Sequence, residues 1–170
     1  EKKRREILSN FKLNKDEFRK LSKLANDLGL IFFSTPFDFE SAKFLNSIQP
    51  IFKIASGDNN YLELIDFVSS FNKPIIISSG LAELKLLKKL EKRILKKWKN
   101  FNENKYLAFL HCVSSYPVPE DEANITAIQT LKKKFPKCKV GYSDHLLGVD
   151  GCYVAAALGA KIIEKHFTLD

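Results

Sequence analysis

The strongest constraint on the fold is a strict alternation of short apolar runs with amphipathic stretches. Six runs rich in Ile, Val and Phe occur in order, at residues 30–33, 52–55, 74–77, 106–110, 139–142 and 160–163. Their near-continuous hydrophobicity is typical of strands that are buried on both faces, as in parallel sheets. Strands that alternate with helices predict repeated βα units and a parallel sheet.

The stretches between the runs carry apolar side chains at helical spacing. Asn14 is expected to cap a helix that ends at Gly29, and Asp38 is expected to open the next helix. Further helices are expected at residues 62–68, 81–99, 125–135 and 148–158. The chain therefore reads as one α/β domain.

Composition excludes several protein classes. The hydrophobic fraction is 45% and the charged fraction 28%, an ordinary globular balance. No apolar run approaches the roughly 18 residues that span a bilayer, and the basic start is not followed by the apolar segment of a signal peptide. The three cysteines form no CxxC pair, so we expect reduced thiols, a cytoplasmic location and no membrane partner.

A net charge of +8 admits two interpretations. Clustered basic side chains can bind a nucleic-acid backbone, or they can form the solvated faces of helices. The lysines of residues 81–99 interleave with Leu and Ile at helical spacing, which favours the solvated face. We therefore expect no nucleic-acid partner, although the excess of basic groups favours an anionic substrate.

Polar chemistry follows every apolar run. Small hydroxyl, histidine or carboxylate side chains stand at each predicted strand end, within residues 34–38, 56–58, 78–80, 111–116, 143–145 and 164–168. Active sites of (β/α) barrels lie at the carboxyl ends of several strands. An open sheet would concentrate such groups at its switch point. The pattern thus favours a (β/α) barrel.

Two kinds of site are predicted at these ends. Lys53 with the glycine turns after Ser56 and Ser78 suits a phosphate cradle, although Ser and Gly are also ordinary turn residues. His145 and His166 end adjacent predicted strands and suit a shared metal ion, beside Asp144 and Glu164; the alternative is two hydrogen-bonded structural histidines.

Three further side chains are candidates with open roles. Asp58 is expected either to orient substrate hydroxyls and carry a proton or to cap a helix. Asp144 is expected either to cap a helix or to orient a histidine. His111 precedes its strand end and is predicted to be structural, with its ring directed into the barrel. These residues indicate a metal-assisted enzyme acting on a phosphorylated small molecule.

Six motifs closely resemble one family, the N-acetylneuraminate (sialic acid) synthases with their legionaminate and pseudaminate relatives. They are FSTPFD at 33–38, FKIASGD at 52–58, KPIIISSG at 73–80, LHCVSSYP at 110–117, GYSDH at 141–145 and IEKHFT at 163–168. The resemblance implies condensation of phosphoenolpyruvate with an N-acetylated amino sugar such as N-acetylmannosamine. The products would be a nine-carbon 2-keto sugar acid and phosphate.

The resemblance also implies roles for individual residues. A divalent metal, manganese or magnesium, would be held by His145 and His166 and polarise the sugar aldehyde. Asp58 and Tyr116 would lie near the sugar and the reacting carbons. Phosphoenolpyruvate would be held by hydroxyl and ammonium groups, those of Thr35, Lys53, Ser56, Ser78, Ser114 and Ser143.

The match departs from the family pattern in detail and in extent. Asp58 stands where many members carry Glu, Ser114 where some carry Asn, and Ser79 where Thr is usual. By the resemblance, residues 1–170 form six of the eight βα units of a (β/α)8 TIM barrel, matching strands three to eight. From the same resemblance, we expect no C-terminal antifreeze-like domain within residues 1–170. We expect a homodimer for the full-length protein and an inactive or nearly inactive chain in isolation.

Two other functions remain open. Another phosphoenolpyruvate aldol-type synthase, such as a 3-deoxy-octulosonate phosphate synthase, would share the barrel and the mechanism. A non-catalytic barrel remnant would bind phosphate or a partner enzyme, although the presence of both His145 and His166 argues against it.

Overall fold

The structure, a computed structural model, describes residues 12–98 and 106–169. One parallel sheet of five strands, in the order β1-β2-β3-β4-β5, forms its centre. The strands are β1 Phe52–Ile54, β2 Ile75–Ser78, β3 Leu107–Cys112, β4 Lys139–Asp144 and β5 Ile163–Lys165. The helices are α1 Lys15–Asp27, α2 Phe39–Asn46, α3 Leu62–Ser70, α4 Leu84–Lys97, α5 Ala127–Lys134 and α6 Asp150–Ala157.

The sheet is curled rather than flat. A flat parallel sheet would hold β1 and β5 about 19 Å apart, four strand spacings of about 4.8 Å. Instead, Lys53 Nζ of β1 lies 3.3 Å from Glu164 Oε2 of β5. The alternation of elements and this curl confirm the prediction of an incomplete TIM-type barrel.

The two faces of the sheet divide the core. Side chains on the outer face pack against the helices in one large buried cluster that includes Phe52, Ile77, Phe109 and Tyr142. Side chains on the inner face form a small apolar cluster of Ile76, Ala108 and Leu110. Because successive side chains in a strand point to opposite faces, this small cluster closes the bottom of the barrel interior and leaves the strand ends to polar groups.

Helix capping follows the sequence. The Asn14 side chain accepts from the backbone N–H groups of Asp16 and Glu17, and the Glu17 side chain accepts from the Asn14 N–H, which completes a capping box. Gly29 follows α1 with φ of +72°, and Asp38 caps α2 through the Ser41 N–H. The predicted end of α4 at residue 99 lies outside the described residues.

The predicted strand at residues 30–33 is wrong. Within the described residues, no backbone ladder joins this segment to β1. The Gln49 side chain instead pairs with Ser34, accepting from its N–H at 2.7 Å and donating to its carbonyl at 3.1 Å. Leu30 and Ile31 stay 61% and 64% exposed, so the apolar run lies along an edge rather than inside the sheet.

The other boundaries differ less. The last predicted strand, residues 160–163, begins late, because β5 is Ile163–Lys165. Lys161 N–H already donates to the Val140 carbonyl, so the chain reaches β4 before the ladder starts. All three cysteines are free thiols, as expected. No helix of residues 12–98 and 106–169 is long and apolar enough to cross a membrane.

Candidate active site

A polar layer joins four strands on the inner face of the half-barrel. Lys53 Nζ donates to Ser78 Oγ at 2.8 Å and pairs with Glu164 Oε2 at 3.3 Å. Ser143 Oγ donates to the other carboxylate oxygen, Glu164 Oε1, at 2.6 Å. Groups from β1, β2, β4 and β5 therefore converge on one point above the apolar cluster.

The layer is asymmetric in burial. The Lys53 side chain is only 9% exposed, whereas Glu164 keeps 40% of its side chain accessible. Ser78 and Ser143 are buried. A buried ammonium group is tolerated because it has charged and hydroxyl partners. The arrangement gathers one cation, one carboxylate and two hydroxyls, with the carboxylate as the most accessible group.

Two further hydroxyls, of Ser56 after β1 and Ser114 after β3, lie against the turn after β2. Ser56 Oγ accepts from the Gly80 N–H at 3.2 Å. A Cβ added at Gly80 would lie 2.4 Å from Ser114 Oγ and 2.6 Å from Ser56 Oγ, so both hydroxyls crowd this glycine. The Asn59 amide holds the turn by donating to the carbonyls of Ser78 and Gly80, at 3.3 and 2.9 Å.

His145 and His166 lie together at the ends of β4 and β5. Their ring centroids are 5.5 Å apart, and His145 is buried while His166 is exposed. His145 Nδ1 is 2.7 Å from the Val113 carbonyl. A carbonyl only accepts, so Nδ1 carries the proton and Nε2 keeps its lone pair. This tautomer presents Nε2 as a ligand.

Tyr116 covers the histidine pair. Its ring centroid is 4.0 Å from that of His145 and 5.7 Å from that of His166. The loop behind it is held by the Val118 N–H, which donates to the His145 carbonyl at 3.0 Å. Burial, with the nearby Cys112 and Glu164, raises the pKa of Tyr116, so its hydroxyl stays protonated and can donate at neutral pH.

The donor set fits a divalent ion in part. A cavity of 200 Å³ at the strand ends is lined by Ser143, Asp144, His145, Glu164, Lys165 and His166. Two imidazoles with open neighbouring positions suit manganese, whose other ligands are oxygen atoms. Across the described part of the chain, no group of three or more His, Cys, Asp or Glu side chains is placed to hold a metal. Any remaining ligands would come from water or substrate.

Thr35 and Asp58 stand apart from these contacts. Thr35 lines a separate cavity along α1 and α2, of 1100 Å³. Asp58 ends the 3₁₀ turn of residues 56–58 and does not cap α3, whose N-cap is Tyr61 without a side-chain bond. Of the two open roles for Asp58, the structure contradicts the helix cap.

One expectation about direction is wrong. The His111 ring points to the helix layer, not into the barrel: Nε2 is 2.8 Å from the Ala123 carbonyl, and the ring stacks on Tyr142. Its structural role is confirmed. Asp144 also faces the helices and binds Lys165 Nζ at 2.7 Å. Both residues are adjacent in sequence to inward-facing residues. Because successive side chains of a strand point to opposite faces, both face the helices.

Sequence reasoning missed two contributors. Asn59 was not singled out, and no local pattern marks an asparagine that bonds carbonyls of another strand end. Glu164 was noted only beside the histidines, whereas its contacts are with Lys53 and Ser143. Its spacing of two residues from His166 places both on one face of the strand, which was the available signal.

The fold and site define a partial (β/α) barrel whose polar groups gather where barrel enzymes carry their active sites. The chain belongs to the NeuB family, which matches it over residues 1–170. It thereby joins the sialic acid, legionaminic acid and pseudaminic acid synthases as a homologue.

Individual relatives agree with this assignment. An uncharacterized protein of Methanocaldococcus jannaschii is 41% identical, with 97% of this chain and 48% of that protein covered. The N,N'-diacetyllegionaminic acid synthase of Campylobacter jejuni is 39% identical, with the same coverage of 97% and 48%. The chain spans about half the length of the curated relatives it matches.

A solved structure supports the fold directly. The N-acetylneuraminic acid synthetase of Leptospira borgpetersenii, in complex with citrate, superposes with a TM-score of 0.86 at 38% identity. The superposition covers 94% of this chain and 54% of that one.

Proposed function

We propose that this chain carries part of the active site of a synthase that joins phosphoenolpyruvate to an N-acetylated amino sugar of the mannosamine type. The products are a nine-carbon 2-keto sugar acid and phosphate. The observation that carries the proposal is the convergence of Lys53, Ser78 and Ser143 beside the His145–His166 pair on one inner face. Family membership supports it, since relatives bear the names of such synthases.

The anionic substrate is proposed to bind at the polar layer. Lys53 supplies the charge that a carboxylate or phosphate needs; the Ser78 hydroxyl accepts from it, and the Ser143 hydroxyl bonds its ion-pair partner Glu164. Ser56 and Ser114 add hydroxyls beside Gly80, where the absence of a side chain leaves room for both. Thr35 is proposed as a further donor from the neighbouring loop.

The sugar is proposed to bind at the histidine pair. His145 and His166 would hold manganese or magnesium, which when bound supplies Lewis-acid polarisation of the sugar carbonyl. Tyr116 packs over both rings and keeps its proton at neutral pH, so it is placed to donate to a sugar oxygen. Asp58 is proposed to orient sugar hydroxyls from the turn after β1.

The test is an assay of the full-length protein with phosphoenolpyruvate, Mn²⁺ and N-acetylmannosamine, following phosphate release. Sugar-dependent release is expected, and His145→Ala and His166→Ala should each lower it at least about 100-fold. Lys89→Ala, on the exposed face of α4, is the matched control and should leave it unchanged. Melting temperatures of all variants separate lost chemistry from lost folding.

Two outcomes would contradict the proposal. Release with phosphorylated aldoses but not with amino sugars would favour a synthase of the 3-deoxy-octulosonate phosphate type. Release that neither sugar nor metal changes would favour a non-catalytic barrel.

A further inference from the structure

An ion pair lies behind the two histidines, on the opposite face of the sheet. Asp144 and Lys165 are register partners across β4 and β5. Lys165 Nζ donates to Asp144 Oδ2 at 2.7 Å, and the two side chains are 25% and 0% exposed. Each residue immediately precedes a member of the His145–His166 pair. The ion pair thus joins the two strands at the last step before the imidazoles.

The carboxylate also holds the chain that follows β4. Asp144 Oδ1 accepts from the Leu146 N–H at 2.9 Å, and Oδ2 accepts from Cys152 Sγ at 3.1 Å. Lys165 Nζ donates in addition to the Leu146 carbonyl. A Cβ at Gly151 would lie 3.3 Å from both carboxylate oxygens, so the glycine lets α6 begin against Asp144.

The hydrogen-bond ladder alone holds His166 weakly. β5 has three residues, and its described backbone pairing is with β4 only. His166 lies one residue beyond this ladder and is exposed. A backbone ladder of three residues opens readily at its end, because few hydrogen bonds oppose its opening. A side-chain bond between the last paired residues opposes that fraying at the position where the imidazole spacing is set.

Stability alone does not account for a charged pair here. Apolar side chains of similar volume are often as stabilising as a buried ion pair, whereas a pair fixes one geometry through directed hydrogen bonds. Three donors, Lys165 Nζ, the Leu146 N–H and Cys152 Sγ, fix the Asp144 carboxylate in one orientation.

We propose that Asp144 and Lys165 are positioning residues that set the spacing of His145 and His166, and so the affinity of that pair for a divalent metal ion. The inference rests on the metal site of the proposed function. Their side chains bind each other and the segment after β4, not the imidazoles, so both would act through the backbone of the two strand ends.

The experiment titrates the full-length protein with Co²⁺ alone and follows its visible absorption. Asp144→Asn and Lys165→Met are each expected to weaken Co²⁺ binding at least about tenfold, the lower range for residues that orient metal ligands. Each should also lower the melting temperature, because one buried charge loses its partner.

A double variant, Asp144→Asn with Lys165→Met, separates an effect on the spacing of the histidines from an effect on stability. With both charges removed, the melting temperature should recover towards wild type, while Co²⁺ affinity stays at least about tenfold weaker. Asp66→Asn is the matched control. It breaks a different ion pair, in which Arg93 Nε donates to Asp66 at 2.7 Å between α4 and α3, and should leave Co²⁺ binding unchanged.

Two results would overturn the inference in distinguishable ways. Wild-type Co²⁺ affinity in the double variant would remove the positioning role and leave the metal site intact. Equal Co²⁺ binding by the wild type and His145→Ala would remove the metal site itself, and the positioning role with it.

Discussion

The two faces of the same sheet have opposite chemistry. The outer face is apolar along almost its whole height and meets the helices in a continuous core. The inner face is apolar only at its base, and above that it carries an ammonium, a carboxylate, hydroxyls and an imidazole, those of Lys53, Glu164, Ser78, Ser143 and His145. The comparison teaches that stability and chemistry are separated by side-chain parity within the same five strands.

The largest expected effect is a loss of stability from the outer face. Phe109 is fully buried, and its ring centroid lies 4.8 Å from that of Phe135. Phe109→Ala should lower the free energy of unfolding by about 3–5 kcal/mol, through lost burial and a cavity. Urea unfolding measures it. A loss below about 1 kcal/mol would show that the outer face is not the main source of stability.

A change on the inner face should do the reverse, altering binding more than stability. Gly80→Ala pushes a methyl group against the hydroxyls of Ser56 and Ser114. We expect KM for phosphoenolpyruvate to rise about tenfold, the equivalent of roughly one hydrogen bond, with about 1 kcal/mol of stability lost. Steady-state kinetics and urea unfolding check both parts.

Lys89→Ala, on the exposed face of α4, is the control and should change neither quantity. A KM for Gly80→Ala equal to that of Lys89→Ala would mean that the crowding at Gly80 is irrelevant to binding.

The smallest expected effect is a pH dependence of stability, caused by His111 on the outer face. Burial lowers the pKa of His111, although its bond to the Ala123 carbonyl opposes this. At a pH between the folded and unfolded pKa values, the unfolded chain therefore binds a proton at His111 that the folded chain does not bind. Stability should be full above the ordinary histidine pKa of about 6.5 and fall as pH drops through the lowered value.

Melting temperatures of wild type and His111→Gln between about pH 7.5 and pH 5.5 test this. The fall with decreasing pH should be smaller in the variant. Equal slopes would assign the acid sensitivity to other groups.

Local patterns predicted the elements and the polar strand ends, because periodicity and capping are properties of neighbouring residues. Asn14, Asp38 and four of the predicted strands are where the pattern indicated. The face on which a strand residue lies is harder to predict, since a one-residue shift reverses it. That is why the His111 ring, expected inside the barrel, lies on the outer face.

Contacts between distant strands were beyond the sequence. The ion pair of Lys53 with Glu164 depends on how far the sheet curls, and no local pattern encodes that curvature. Residues 30–33 show the same limit of local sequence patterns. Their composition fits a buried strand, but burial depends on what lies alongside them.

The ion pair between the outermost strands has a consequence for the order of folding. Its two members, Lys53 and Glu164, lie near opposite ends of the described sheet. The ion pair can form only after the long chain segment between them has closed into a loop, which is slow and entropically costly. Contacts between consecutive strands and helices form over much shorter separations. We therefore expect the polar layer to assemble after the apolar contacts between neighbouring elements, and detachment of β5 would separate Lys53 from Glu164.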